Sequence, residues 1–252
     1  MGRPDAFFIP PASFREPFAL TGGEAHHCAR VLRKKTGEIV RAFDGQGREG
    51  LFTITDLAKD RVGLSPVSLG ETPPPANGIV LAPGFSRSAR RDFFLEKAVE
   101  LGAAGILFWQ AERSQGRLPE TAKDAWAATL VAAAKQCGAA RLPELAVIPA
   151  GAAGLVAVCR QRFARRFFLW EEAGCPRRLT LADLSGPGQA VFVLGPEGGF
   201  TDAEVVLFQD AGFVPVSLGP RVLRWETAAL AVLALGLAAP QAANPAAGRA
   251  GD

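Results

Sequence analysis

From Ile79 onward the chain alternates short apolar runs with longer Ala-rich or amphipathic segments, and this pattern limits its fold more than any other feature. Ile79–Ala82, Gly105–Trp109, Leu145–Ile148, Phe167–Trp170, Ala190–Leu194 and Phe213–Leu218 read as buried strands. Helices are expected over Ser88–Leu101, Glu120–Cys137 and Leu155–Phe163, and from Trp225 into an Ala/Leu/Val run. Runs that are apolar on both faces belong to parallel sheets covered on both sides. The alternation therefore predicts an α/β domain with a mostly parallel sheet and helices on both faces. The last two strands stop at glycine loops, Gly195-Pro196-Glu197-Gly198-Gly199-Phe200 and Gly219-Pro220-Arg221-Val222-Leu223-Arg224. Ligands of open α/β sheets bind at the carboxyl ends of strands. Two such ends carrying Gly, Glu and Arg form the candidate site.

The first 72 residues follow a different pattern. Ala6–Ile9, Glu38–Phe43, Gly50–Thr55 and Val62–Val67 read as strands, with Asp44-Gly45-Gln46-Gly47 as a hairpin turn. Gly22–Arg33 reads as a short helix, with Glu24 in its first turn and Arg33-Lys34 in its last. Close-set strands with one helix predict a small barrel. Gly70–Gly78 contains three consecutive prolines, which continue neither a helix nor a central strand. The expected division is a β-barrel domain over 1–72, an α/β domain over 73–239 and a disordered tail over 240–252.

Composition excludes several classes. With 48% hydrophobic and 21% charged residues, the 252-residue chain is expected to be globular. Cys28, Cys137, Cys159 and Cys175 are scattered, without a CxxC pair, and read as reduced thiols of a cytoplasmic protein. The only histidines, His26 and His27, are adjacent and lack partners at ligand spacing, so no metal site is expected. Prolines and charges interrupt the amino terminus, and Ala228–Ala239 is too short to span a bilayer, so no membrane role is expected.

The first glycine loop has no Gly-Lys-Ser/Thr and is not GxGxxG, so it is no nucleotide fingerprint. Its glycines permit close backbone approach to a ligand, and Thr201 and Asp202 can cap the helix that follows. GPEGGF followed by SLGPRVLRWETA resembles the two carboxy-terminal signatures of the RsmE family of SPOUT-class methyltransferases. His27-Cys28-Ala29-Arg30-Val31-Leu32-Arg33, Glu96–Gly102 and Glu112-Arg113-Ser114 extend the resemblance over roughly residues 5–238. The resemblance implies methylation of uridine N3 in 16S (small-subunit) ribosomal RNA, S-adenosyl-L-methionine as cofactor, a PUA-like RNA-binding barrel, a trefoil-knotted catalytic domain and a homodimer. Strand–helix alternation alone would predict an unknotted sheet.

Two departures stand out. The family usually carries Thr at the position of Trp225, and a Glu-Gln pair near Lys135-Gln136. They keep open a non-catalytic RNA-binding protein of the same fold. A ribose 2′-O-methyltransferase is a third reading.

Uracil N3–H is a weak acid, so a methyl-transfer site needs alignment, stabilisation of charge spreading onto O2 and O4, and a proton path. Arg224 is expected to face the uracil oxygens and Glu226 to orient it, with Glu197 as the alternative orienting or proton-accepting carboxylate. A helix dipole alone also favours a carboxylate at Glu226. Leu194, Gly195, Pro196, Gly199, Leu218, Gly219 and Leu223 are the expected cofactor cradle. Arg30, Arg33, Lys34, Lys35, Arg87, Arg90, Arg91 and Arg113 are the expected RNA contacts, though a solvated basic face would present the same charges.

Overall fold

The computed structural model describes residues 3–87, 90–171 and 177–239. Two compact units are present. One takes the chain up to Pro74 together with Leu130–Leu142, and the other takes Pro75–Thr129 and the chain from Pro143 on.

The first unit is built on a five-stranded sheet. Its strands are β1 (Ala6–Phe8), β2 (Ala19–Thr21), β3 (Ile39–Phe43), β4 (Arg48–Leu57) and β5 (Arg61–Glu71), in the order β1-β3-β4-β5-β2. β3 and β4 pair across the Asp44–Gly47 turn, where the Asp44 carboxylate accepts from the backbone N–H groups of Gln46 and Arg48. Both edge strands, through Phe7 and Leu20, bury side chains in one core with Val40, Phe52, Ile54 and Val62, so the sheet is curled. No ladder between β1 and β2 closes it into the barrel that the sequence suggested. The expected helix is shorter than Gly22–Arg33: α1 (Gly22–His26) continues as a π-turn over His27–Val31 and stops. Arg33 takes a left-handed φ of 53°, and the Lys34 N–H turns back to the Cys28 carbonyl at 3.1 Å. Lys135 forms an ion pair with Glu24, which fixes α1.

The second unit is an all-parallel six-stranded sheet. It comprises β6 (Ile79–Pro83), β7 (Gly105–Trp109), β8 (Glu144–Ile148), β9 (Arg165–Leu169), β10 (Ala190–Leu194) and β11 (Val214–Val216), ordered β11-β9-β10-β6-β7-β8. Its helices are α2 (Arg90–Glu100), α4 (Gly151–Arg162), α5 (Leu181–Ser185), α6 (Asp202–Asp210) and α7 (Trp225–Ala238), while α3 (Asp124–Cys137) is divided between the two units at Leu130. Strand period two sorts the core. Val191 and Val193 join Leu155, Cys159, Val205 and Phe208 of α4 and α6 on one face. On the other, Phe94 of α2 meets Phe108 of β7 and Trp225 of α7 edge-on. The predicted helix at Glu120 begins instead at Asp124, and the one predicted at Leu155 begins at Gly151. Ser88, expected to open α2, Cys175 and the tail over 240–252 lie outside the described residues. Among the described residues no helix is long and apolar enough to cross a membrane.

Candidate active site

The strand order places the carboxyl ends of β6, β9 and β10 side by side, and the two glycine loops meet there. β10 is apolar throughout and fully buried, so the chain can reverse only at the glycines that follow it. At Gly195 an added Cβ would stand 3.3 Å from Gly199 C and Phe200 N, and Gly199 has a φ of 71° that favours glycine. Gly84, just past β6, donates its N–H to Leu194 O at 2.8 Å. A Cβ on Gly84 would meet Pro196 N at 2.7 Å, so this close approach requires glycine.

Distant residues hold the first loop. Arg113 donates through Nη1 to Gly198 O at 3.2 Å and to Phe200 O at 3.0 Å. Thr201 caps α6 in a reciprocal box with Glu204, as its position next to the glycines suggested. Glu204, buried, also accepts the Glu112 N–H at 2.9 Å, and the Thr201 hydroxyl donates to the Glu112 carboxylate at 3.1 Å. Phe200 stacks on Trp109, whose Nε1 donates to Ala82 O at 3.0 Å.

These elements enclose a cavity of about 570 Å³, within the range of small-molecule sites. Leu194, Gly195, Pro196, Gly199 and Leu223, all expected in a cofactor cradle, line it. Leu218 and Gly219 do not. They line a second cavity of about 10 Å³, near the size of one water. Arg224 and Glu197 are exposed and line the larger cavity, together with Arg90, Arg113 and Trp225.

Glu226 pairs with Arg90, and among the described residues no ion pair joins it to Arg224. Arg224 is the extended N-cap of α7, whereas Glu226 lies one residue into the helix, facing inward. Its Oε1 is 3.2 Å from Arg90 Nη1, and its Oε2 is buried without a hydrogen-bond partner. Arg91 sits over the Trp126 ring at 4.9 Å and pairs with Asp92, and Lys34 pairs with Asp5 and Glu38. Of the basic residues expected on RNA, Arg30, Arg33, Lys35, Arg87 and Arg113 are exposed, the last of them engaged with the first glycine loop.

Sequence reading missed Glu171, which follows β9 without any motif. Glu171 lines both cavities. Burial against the cavity wall pushes its carboxyl above the usual range, and a hydrogen bond from the Leu223 N–H partly offsets this. Acids and bases thus share one cleft built from glycine loops on a parallel sheet, an arrangement suited to a small polar ligand carrying both charges.

Comparison with known proteins identifies the class. Residues 73–236 match the RNA methyltransferase domain family, and residues 20–66 match the RNA methyltransferase PUA domain. A Mycobacterium bovis ribosomal RNA small subunit methyltransferase E is 31% identical over 221 residues, covering 85% of this chain and 83% of that protein. The Bacillus subtilis protein of the same name is 26% identical, covering 86% and 88%. A putative methyltransferase from Legionella pneumophila, solved with bound cofactor SAM, superposes with a TM-score of 0.81 at 30% identity, covering 94% of this chain and 98% of its own. A ribosomal RNA small subunit methyltransferase E from Neisseria gonorrhoeae, bound to S-adenosyl methionine, gives 0.76 at 28%, covering 92% and 96%. The chain belongs to the ribosomal RNA small subunit methyltransferase E family.

Proposed function

We propose that this protein transfers a methyl group from S-adenosyl-L-methionine to N3 of a uridine in 16S ribosomal RNA of the small subunit. The observation that carries this reading is the cavity of about 570 Å³ formed where two glycine loops meet at the carboxyl ends of β9 and β10. Its lining suits the cofactor: Leu194, Leu223 and Ala228 offer apolar contact to adenine, Gly195 and Gly199 expose backbone, and Glu171 and Glu197 face a cationic group. Bound there, S-adenosyl-L-methionine supplies an electrophilic methyl group on a sulfonium.

The residues of the chain supply the rest. Arg224 stabilises negative charge on the pyrimidine oxygens as the N3 proton leaves, a contribution of about 2.7–4 kcal/mol for a well-placed donor. Glu197, in the turn and open to solvent, accepts that proton. Glu226 acts through Arg90 rather than through Arg224. Residues 1–72 bind RNA, with exposed Arg30, Arg33 and Lys35 meeting phosphates, and residues 73–239 form the catalytic domain. The glycine loops belong to a trefoil knot, in keeping with family membership. The protein works as a homodimer in the cytoplasm, and the exposed Leu235 and Leu237 at the end of α7 suit a self-contact.

The test has two parts. Calorimetry with S-adenosyl-L-methionine should show binding, and its absence removes the enzymatic reading. Mass analysis of small-subunit ribosomal RNA from a deletion strain should show loss of one base methyl on uridine. Loss of a ribose methyl would instead indicate 2′-O transfer, and no change a non-catalytic RNA-binding role.

A further inference from the structure

Two carboxylates open onto the cavity, and their surroundings differ. Glu197 sits in the exposed turn of the first glycine loop. Glu171 belongs to the neighbouring strand. β9 and β10 end in register, Leu169 opposite Leu194, so Glu171 and Pro196 each lie two residues beyond the sheet. Glu171 is exposed, and it lines the main cavity together with Leu169, Leu194, Leu223 and Ala228. Its carboxylate accepts the Leu223 N–H, which holds it against the second loop. The chain around it nonetheless raises its carboxyl above the usual range, and among the described residues no cation pairs with it. A ligand that brought a positive charge to this carboxylate would offset that cost.

S-adenosyl-L-methionine carries two cations of different character. Its α-ammonium has three N–H donors and is strongly hydrated, as the lysine ammonium is. It suits a solvated carboxylate such as Glu197. Its sulfonium has no hydrogen to donate and is bonded only to carbon, so it suits a carboxylate set among leucines. Position agrees with character. Leu223 is among the residues offered to adenine, and it is Leu223 that fixes the Glu171 carboxylate. The sulfonium is one methylene from the ribose, whereas the ammonium lies three carbons further along the tail.

Resting on the proposed activity, we infer that Glu171 faces the cofactor's sulfonium and gives the site its preference for S-adenosyl-L-methionine over S-adenosylhomocysteine. On transfer the carbon–sulfur bond breaks, its electron pair stays on sulfur, and the methyl group bonds to N3 as the N3 proton leaves. The sulfur becomes a neutral thioether, Glu171 loses its counter-charge, and the spent cofactor is released. An opposite charge within ~4–6 Å shifts a carboxyl by about 1–3 units. For a group open to solvent the lower end applies, so the expected discrimination is about tenfold.

The test is calorimetry on wild type, Glu171→Gln and Glu171→Asp with three ligands. They are S-adenosyl-L-methionine, S-adenosylhomocysteine, and sinefungin, in which an ammonium-bearing carbon takes the sulfonium's place. Glutamine keeps an oxygen for the Leu223 N–H and removes the charge. Wild type should bind S-adenosyl-L-methionine and sinefungin about tenfold more tightly than S-adenosylhomocysteine. In E171Q the two cationic ligands should weaken to the level of S-adenosylhomocysteine, whose own affinity stays within about twofold of wild type, and E171D should recover part of the preference. An equal loss for all three ligands in E171Q would assign Glu171 to the ribose or the ammonium, which they share, and overturn the inference. Unchanged affinities in E171Q would overturn it too. So would a wild-type protein that binds S-adenosylhomocysteine as tightly as S-adenosyl-L-methionine, whatever the variants do. Failure of wild type to bind any of the three would instead remove the activity on which the inference rests.

Discussion

Gly84→Ala should damage the site from outside it. Gly84 is in ordinary backbone conformation, so alanine brings no dihedral strain, and only space decides the outcome. The new methyl would lie 2.7 Å from Pro196 N and 2.8 Å from Pro196 Cδ. Ordinary contact begins near 3.4 Å, so the loop must retreat by several tenths of an ångström. It has little room to do so. Gly195 already packs on Gly199, and Arg113 holds Gly198 and Phe200. Overpacking of this kind costs about 1–3 kcal/mol. At about 2–4 °C per kcal/mol for a chain of this size, the melting temperature should fall by several degrees. Affinity for S-adenosyl-L-methionine should weaken by roughly tenfold if about 1.4 kcal/mol of the strain appears only with ligand bound. Gly70→Ala is the control, because nothing stands within 4 Å of its Cβ position. The assay is thermal unfolding paired with calorimetry on both variants. If Gly84→Ala melts and binds like Gly70→Ala, the claim that Gly84 sets the loop's position is wrong.

Three further outcomes are expected. Arg113→Ala removes two charge-assisted bonds to the loop, and discounted for exposure this should weaken cofactor binding about tenfold with little change in melting. Lys135→Glu should set two carboxylates against each other and destabilise the first unit by about 0.5–1 kcal/mol in urea titration, with Glu24→Lys in the same chain restoring part of the loss. Asp183 closes the capping box of α5: burial alone would raise its carboxyl, but the Thr180 N–H and hydroxyl and Arg177 outweigh this and hold it low. A lowered folded-state value gives stability that is present above the unfolded value and is lost as pH falls through the folded one. Asp183→Ala should therefore melt lower by about 1 kcal/mol at pH 7, and the gap to wild type should narrow below about pH 4.

Much of this architecture was readable from period and punctuation. Gly105–Trp109 and Ala190–Leu194 stand out as strands because both faces are apolar, and Thr201 reads as a cap because it follows the glycine loop at the start of a helix. Three-residue β2 escaped because so short a run shows no alternation. α5 has a readable signal, Thr180 three residues before Asp183, but only five residues to confirm it. Within the site, the glycine loops were legible and their neighbours were not. Glu226 reaches Arg90 because α7 packs on α2, a pairing that local sequence does not encode. Arg113 reads as an RNA contact, and its hold on the first glycine loop shows only once β7 is placed two strands from β10. Glu171 carries no motif and matters only because β9 lies beside β10.

The central seam of the parallel sheet joins Ile79 to Ala190. During synthesis, β6 must therefore wait for roughly a hundred further residues before its partner leaves the ribosome, at about 5–20 residues per second. Pairings so remote along the chain form slowly. Until β10 inserts, β6 keeps one side unpaired and sticky, and β9, whose other neighbour β11 is made later still, keeps both. A chain that terminates before Ala190 would have no cleft at all, and would be a substrate for chaperones or proteases rather than a partly active enzyme.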